Sequence, residues 1–353
     1  MLKSNINKSM NVKIDDKRIT LAHGAGGRQT AALIHDVFAA HFRNPEFTAD
    51  DAAILPLGGT KAAFTTDGFI VSPWQFPGGN IGKLAICGTV NDLACMGARP
   101  RYLACAFQIE EGFRLADLET IASYMEKTAA EAGVRIVAGD TKVAGRGQVD
   151  HIFITTTGIG EVLPGAHPAG ARAQAGDAVI VTGDIGRHGC TILLARNDFD
   201  IDADVTSDCA PLWHTVESLF NSLDADDKGD IHVIRDATRG GVGTVLYEIA
   251  EESHVGIRLH EADIPVAPAV KGVCGMLGLN PLYLACEGRL VIFAPQSIAP
   301  QLVEVLRQGK YSQEAAIIGT VTAENAGKVI VDTEIGTQTM LPAPGGELLP
   351  RIC

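Results

Sequence analysis

The spacing of apolar positions changes along the chain, and those changes divide it into helices, strands and turns. Leu115, Leu118, Ile121, Ala122, Met125 and Ala129 recur every three or four residues, which predicts an amphipathic helix over 115–132. Gly133 follows where a left-handed cap belongs. The stretch 81–96, with Leu84, Ala85, Gly88, Leu93 and Met96, is apolar all round and reads as a buried helix. Short apolar runs at 62–66, 101–108, 134–138 and 152–160 predict strands. The composition then shifts to Pro, Gly and Ala over 163–176, which marks a domain boundary. Beyond it the same grammar returns. Strands are expected at 178–182, 231–234, 257–259, 290–294 and 316–321. Helices are expected from about His188, over 209–223, from Gly241 to about Ser253, and over 269–277 and 298–308. Both halves are therefore of mixed α/β class. The expected organisation is a tail over 1–20, domains over 21–165 and 166–341, and a flexible tail over 342–353.

Composition supports two cored domains. The chain has 353 residues, 46% hydrophobic and 20% charged, which suits a globular protein and not a disordered one. No run of eighteen apolar residues spans a membrane. The first eighteen residues carry basic side chains without an apolar core, so they do not read as a secretory signal. A net charge of −13 argues against nucleic acid, which needs a basic footprint. Seven of the eight cysteines sit among small and apolar neighbours, and no CxxC pair occurs. That is the pattern of buried thiols in a reducing cytoplasm.

The eighth cysteine differs. It ends the sequence Ala343-Pro-Gly-Gly-Glu-Leu-Leu-Pro-Arg-Ile-Cys353, where the prolines and glycines oppose helix and strand. Such a tail is expected to be exposed and mobile. It could reach roughly 30 Å, at about 3.3 Å per residue, and carry a sulfur-bound group into a site. A chance surface cysteine is the alternative.

A site is suggested by Asp50-Asp51, Asp67, Asp92 and Asp140, each beside small residues at the edge of, or within, an apolar element. Converging hard oxygens suit magnesium, particularly with phosphate completing the shell. Singly, each aspartate could instead cap a helix or turn. The glycine-rich His23-Gly24-Ala-Gly26-Gly27 precedes a helix at about 30–41 and could present amides to phosphate. Neither GxxxxGK[ST] nor GxGxxG occurs. His188 and His214, on helical faces with no evident partner, read as structural.

Three segments and the tail match a known family. FPGGNIGKLAICGTVNDLACMGARPRYL (76–103), VAGDTK (137–142), RDATRGGV (235–242) and the final PRIC closely resemble the HypE family of hydrogenase-maturation carbamoyl dehydratases. That family lies in the superfamily of aminoimidazole ribonucleotide synthetase, thiamine-monophosphate kinase and selenophosphate synthetase. The resemblance runs from about Leu21 to Cys353. It implies a two-domain PurM-like fold. The first domain would pair across a homodimer, and the second would be a mixed sheet with helices on one face. It also implies ATP-dependent dehydration of a carbamoyl group on Cys353 to a thiocyanate. A HypF-type carbamoyltransferase would load the sulfur, and a HypC–HypD complex would accept the cyano group. Asp50, Asp51, Asp67, Asp92 and Asp140 would hold magnesium. His23, Gly24, Gly26, Gly27, Asn91, Asp92, Thr141, Asp236, Thr238 and Arg239 would contact ATP. Lys142 would pair with phosphate or the substrate oxygen, and Glu287 would take the amide protons. A small-molecule kinase or cyclase of the same superfamily and a non-catalytic thiol carrier are the competing readings. The first would not need Cys353, and the second would bind ATP without coupling it to the tail.

Overall fold

The computed structural model describes residues 31–32, 35, 50–57, 59–197, 199–345 and 352–353. The N-terminal tail, His23, Gly24, Gly26, Gly27, Pro350 and Arg351 lie outside them.

In the first half, β1 (Ala53–Leu57) pairs with β2 (Thr60–Phe69). A two-strand ribbon, β3 (Gln75–Phe76) and β4 (Gly79–Asn80), leads into α1 (Ile81–Cys95). Then come β5 (Ala98–Glu110), α2 (Leu115–Ala132), β6 (Arg135–Ala144) and β7 (Ile152–Val162). The sheet order is β1-β2-β7-β5-β6. Only β5 and β6 run parallel, and α2 provides the crossover their pairing requires. Asn80 starts α1 by accepting the Lys83 N–H at 3.0 Å. Every residue of α1 is buried except Lys83 and Asp92, so the helix is wrapped on all sides as its composition predicts. A Cβ on Gly82 would stand 2.6 Å from the Ile121 carbonyl, so only glycine lets α2 lie so close.

The second half contains β8 (Asp177–Val181), α3 (Arg187–Arg196), α4 (Trp213–Asn221), β9 (Val233–Asp236) and α5 (Gly241–Glu252). It continues with β10 (Gly256–His260), α6 (Pro268–Leu277), β11 (Leu290–Pro295), α7 (Ala299–Arg307), β12 (Ala316–Thr322), β13 (Val329–Asp332) and β14 (Gln338–Met340). The seven strands lie in the order β14-β13-β10-β12-β8-β11-β9. One expectation is corrected here: helices cover both faces of this sheet, not one. Ala178 and Ile180 of β8 join a core with Trp213, Val216, Leu302 and Leu306 from α4 and α7. Val179 and Val181 join another with Val242, Leu246 and Ile249 of α5. Side chains of a strand alternate between faces, and all five residues of β8 are buried, so both faces need a cover.

The helix expected over 209–223 begins only at Trp213. The preceding backbone is instead held by the side chain of Asn91 of α1. Its amide donates to Ala210 O at 3.1 Å and Glu287 O at 3.4 Å, and its oxygen accepts Leu212 N–H at 2.8 Å. One buried side chain thus ties the first half to two segments of the second.

The Glu287 segment is anchored again by Arg289, only 6% exposed, which donates to Asp184 O at 2.8 Å and Asp184 Oδ1 at 2.5 Å. Burial raises the Asp184 pKa, but Arg187 and Arg289 outweigh it and hold the carboxyl below the usual range. Removing one partner of a buried ion pair strands the other. Asp184→Asn should therefore cost roughly 3–5 kcal/mol in urea unfolding; a loss under about 1 kcal/mol would contradict this anchoring.

Candidate active site

Four carboxylates from separate elements meet under α1. Asp51 precedes β1, Asp67 lies near the end of β2, Asp92 is on α1, and Asp236 ends β9. Asp51 Oδ1 accepts from Arg235 Nη1 at 2.6 Å, and Asp92 Oδ2 accepts from the Thr65 hydroxyl at 2.8 Å. Single ligand atoms of Asp51, Asp236 and Cys95 all lie within 4.8 Å of one another. Burial pushes the Asp92 and Asp236 carboxyls well above the usual range, and the neighbouring aspartates push them further. Asp51 Oδ2 is buried with no N–H or O–H donor among the described residues. Crowded, partly unsatisfied hard oxygens of this kind fit a divalent cation such as magnesium.

The structure divides the expected ligands. Asp51, Asp67, Asp92 and Asp236 come together. Asp50 does not join them, because its Oδ1 accepts the Gly170 N–H at 2.8 Å and fastens the two halves. Asn91 has both ends of its amide occupied by backbone, which removes it as a nucleotide or metal contact. Asp140 and Lys142 are a clearer correction. They pair with each other at 2.9 Å on the edge strand β6, 61% and 73% exposed. Across the sheet Asp67 aligns with Thr156, Thr156 with Cys105, and Cys105 with Gly139. Alternation then turns the next residue, Asp140, and with it Lys142, to the opposite face. Thr141 is exposed between them. Thr238 closes the turn into α5, its carbonyl accepting the Gly241 N–H at 3.0 Å.

The tail supplies the other half of the site. Pro342, Ala343 and Gly345 are exposed as expected, but Ile352 is 4% exposed and Cys353 is half-buried. Ile70 N–H donates to Cys353 O at 2.8 Å, and Ile352 O lies 2.8 Å from His188 Nε2. The Arg239 guanidinium hydrogen-bonds the Cys353 side chain. Burial, then the nearby Glu287, pushes the thiol up to about 12, although Arg239 pulls the other way. Glu287 is 2% exposed, and its Oε1 has no hydrogen-bond partner among the described residues. Burial foremost, then Cys209, Asp236, Asp208 and Asp67, drive its carboxyl well above the usual range. A carboxyl poised this way beside a thiol is equipped to exchange protons with a group at that sulfur.

Two participants, Cys95 and Arg235, are missing from the sequence reading. Cys95 sits against the carboxylates although it reads as core. Arg235 counters Asp51, and its adjacency to Asp236 in RDATRGG is a signal that could have been used. His188 and His214 both have partners, His214 through Glu217 Oε2 at 3.3 Å.

Comparison with known proteins decides the family. Residues 49–162 match the AIR synthase related protein N-terminal domain, and 174–332 match its C-terminal domain. The chain is 45% identical over 342 residues to carbamoyl dehydratase HypE of Rhodobacter capsulatus, covering 96% of this chain and 99% of that protein. This chain belongs to the HypE family of carbamoyl dehydratases. The fold agrees with HypE in a solved HypE–HypF complex, with TM-score 0.83 and 44% identity over 89% of this chain and 100% of that one. It also agrees with a hydrogenase maturation protein HypE in complex with ATP, with TM-score 0.78 and 47% identity over 94% and 99% of the two chains. The reading of a PurM-like, ATP-dependent carbamoyl dehydratase acting in hydrogenase maturation is borne out by the HypE family assignment.

The raised carboxyls set the sign of a stability test. Folded Asp92 and Asp236 keep protons that the unfolded chain releases near pH ~3.9. Without a divalent cation, stability should therefore fall as pH rises from about 4 through the raised folded values. Magnesium should restore it, by about 2.7 kcal/mol at a hundredfold excess over Kd. Asp92→Asn should raise the metal-free melting temperature at pH 8 and abolish the magnesium gain. Equal magnesium shifts in both proteins would remove Asp92 from the cation site.

Proposed function

We propose that Cys353 Sγ carries the carbamoyl group and that the docked tail presents it to Glu287 for ATP-driven loss of water. The observation that supports this is the seating of Cys353 beside Arg239 and a buried glutamate whose Oε1 lacks a hydrogen-bond partner among the described residues. A HypF-type carbamoyltransferase loads the sulfur while the tail is out. Once the tail returns, the carboxamide oxygen attacks the γ-phosphoryl of ATP and ADP leaves. Glu287 accepts an N–H proton as charge moves to oxygen. Loss of the second N–H proton then forms the C≡N triple bond while the C–O bond breaks and phosphate departs. The products are the thiocyanate on Cys353, ADP and phosphate; the water's oxygen leaves in phosphate and its two hydrogens leave as protons. A HypC–HypD complex takes the cyano group for iron, and the cycle runs in the cytoplasm. Asp51, Asp67, Asp92 and Asp236 would hold magnesium, which would supply charge neutralisation for the transferring phosphoryl group. Arg239 provides the positive charge at the sulfur.

Mass spectrometry of the C-terminal peptide tests this directly. After loading with partner, carbamoyl phosphate, ATP and magnesium, the wild-type adduct should lose one water. Glu287→Gln should accumulate the carbamoyl form, with dehydration slowed roughly 10²–10⁴-fold. An adduct that never loses water in the wild type would make the protein a carrier. ATP turnover unaffected by Cys353→Ala would make it a small-molecule kinase.

The face of the first sheet that carries Asp140 is where we place a homodimer contact. Phe64 and Tyr102, aligned on one face through Ile159, are 43% and 41% exposed. The outer edge of strand β6 beyond them is unpaired among the described residues, and the strand is exposed along its length, open to a second copy of the sheet. Tyr102→Asp should convert a sedimenting dimer to monomer; a wild-type monomer at micromolar concentration would refute the contact.

A further inference from the structure

His188 lies in the first turn of α3 with no exposed surface. Its ring stands edge-on to Phe76, centroids 5.3 Å apart at 84°. Both nitrogens are engaged, Nδ1 with Ser207 Oγ and Nε2 with Ile352 O, each at 2.8 Å. The proton positions follow from the partners. Ser207 Oγ accepts the Cys209 N–H at 3.1 Å, so its own hydrogen is directed to Nδ1. A carbonyl cannot donate, so Nε2 carries the ring proton and gives it to Ile352 O. Burial lowers the His188 pKa and favours this neutral tautomer.

This hydrogen bond has no part in the bond changes at sulfur. It acts one residue away, on the carbonyl that precedes Cys353, and together with the Ile70 N–H it brackets that residue by its backbone. A buried histidine spent on the main chain of a terminal tail has a function only while the tail is docked.

We infer that His188, oriented by Ser207, is a positioning residue that latches Ile352 and so holds the Cys353 sulfur against Arg239 and Glu287 during dehydration. This deepens the reading of Cys353 as carrier and rests on it. The latch serves the step that takes place inside, whereas loading by an external carbamoyltransferase needs the tail released. The two half-reactions should therefore respond differently to its loss.

Thiol alkylation reads the latch without any carbamoyl chemistry. The other seven cysteines are buried, so iodoacetamide labelling of the full-length protein reports Cys353. His188→Ala should raise that rate about tenfold, as expected for loss of one buried hydrogen bond. His188→Gln, whose amide nitrogen can reach Ile352 O, should label close to the wild-type rate; the shorter His188→Asn should label like alanine. If alanine prevents folding, the Gln and Asn pair carries the comparison. In single turnovers on preloaded protein, His188→Asn should slow dehydration about tenfold while loading is not slowed. Equal labelling of wild type, Gln and Asn would overturn the latch, as would dehydration and loading falling together. Labelling that follows the predicted order in a protein that takes no carbamoyl group would sink the carrier reading and leave the latch standing.

Discussion

Repulsion among Asp51, Asp92 and Asp236 is the constraint to which the rest of the structure answers. Three carboxyls in one buried space oppose folding unless protons, a cation or a fixed positive charge compensates. The chain supplies part of that compensation through Arg235, which is held beside Asp51 and raised far above its ordinary pKa by the acids around it. The remainder is left open. A site completed entirely from within would bind its cation weakly, because binding would have to displace an interaction already made. The unfavourable residue of charge is therefore what makes the space receptive, and it explains why its walls come from α1, β2 and β9 instead of one mobile loop. Stability is given up locally for affinity, and the sheets and the Asn91 tie absorb the loss.

That tie also explains why two halves with separate sheets act as one. Asn91 sits next in sequence to Asp92, so the residue that fixes α1 to the Glu287 segment is adjacent to a carboxylate of the cluster. Movement between the halves would pull on both at once. Arg289 and Asp184 brace the same segment from the other side. Glu287 is thus placed by a framework of largely buried polar contacts, and its Oε1, without a partner among the described residues, is the exception to that satisfaction.

Much of the architecture was legible because the sequence is locally consistent. The 3.6-residue period of α2, its glycine cap and the all-round apolarity of α1 each leave a signature that tertiary contacts did not override. The start of α4 was misplaced because Asn91, more than a hundred residues away, holds the preceding backbone, and no local pattern encodes that. The site was half legible. Asp236 entered only through the RDATRGGV resemblance, as a nucleotide contact, whereas Asp51, Asp67 and Asp92 stood out as acids beside small residues. Asp140 looked identical in that respect, yet a single step in strand register puts it on the other face of the sheet. His188 was passed over because its partners, Ser207 and Ile352, lie 19 and 164 residues away in sequence. Separation along the chain hid the Asn91 and His188 contacts, and strand register hid the placement of Asp140.

The docked tail is gripped by its main chain: the Ile70 N–H and the His188 imidazole take hold of the main-chain oxygens of Cys353 and Ile352. Neither contact touches sulfur. The grip is consequently indifferent to the cargo, and the same seat can hold a thiol, a carboxamide or a thiocyanate in one register. A carrier whose load changes shape and polarity within a single cycle needs such a handle, since a fit tuned to one form would reject the next. Discrimination is left to the few groups around the sulfur, where the chemistry changes, and the handle keeps the address constant.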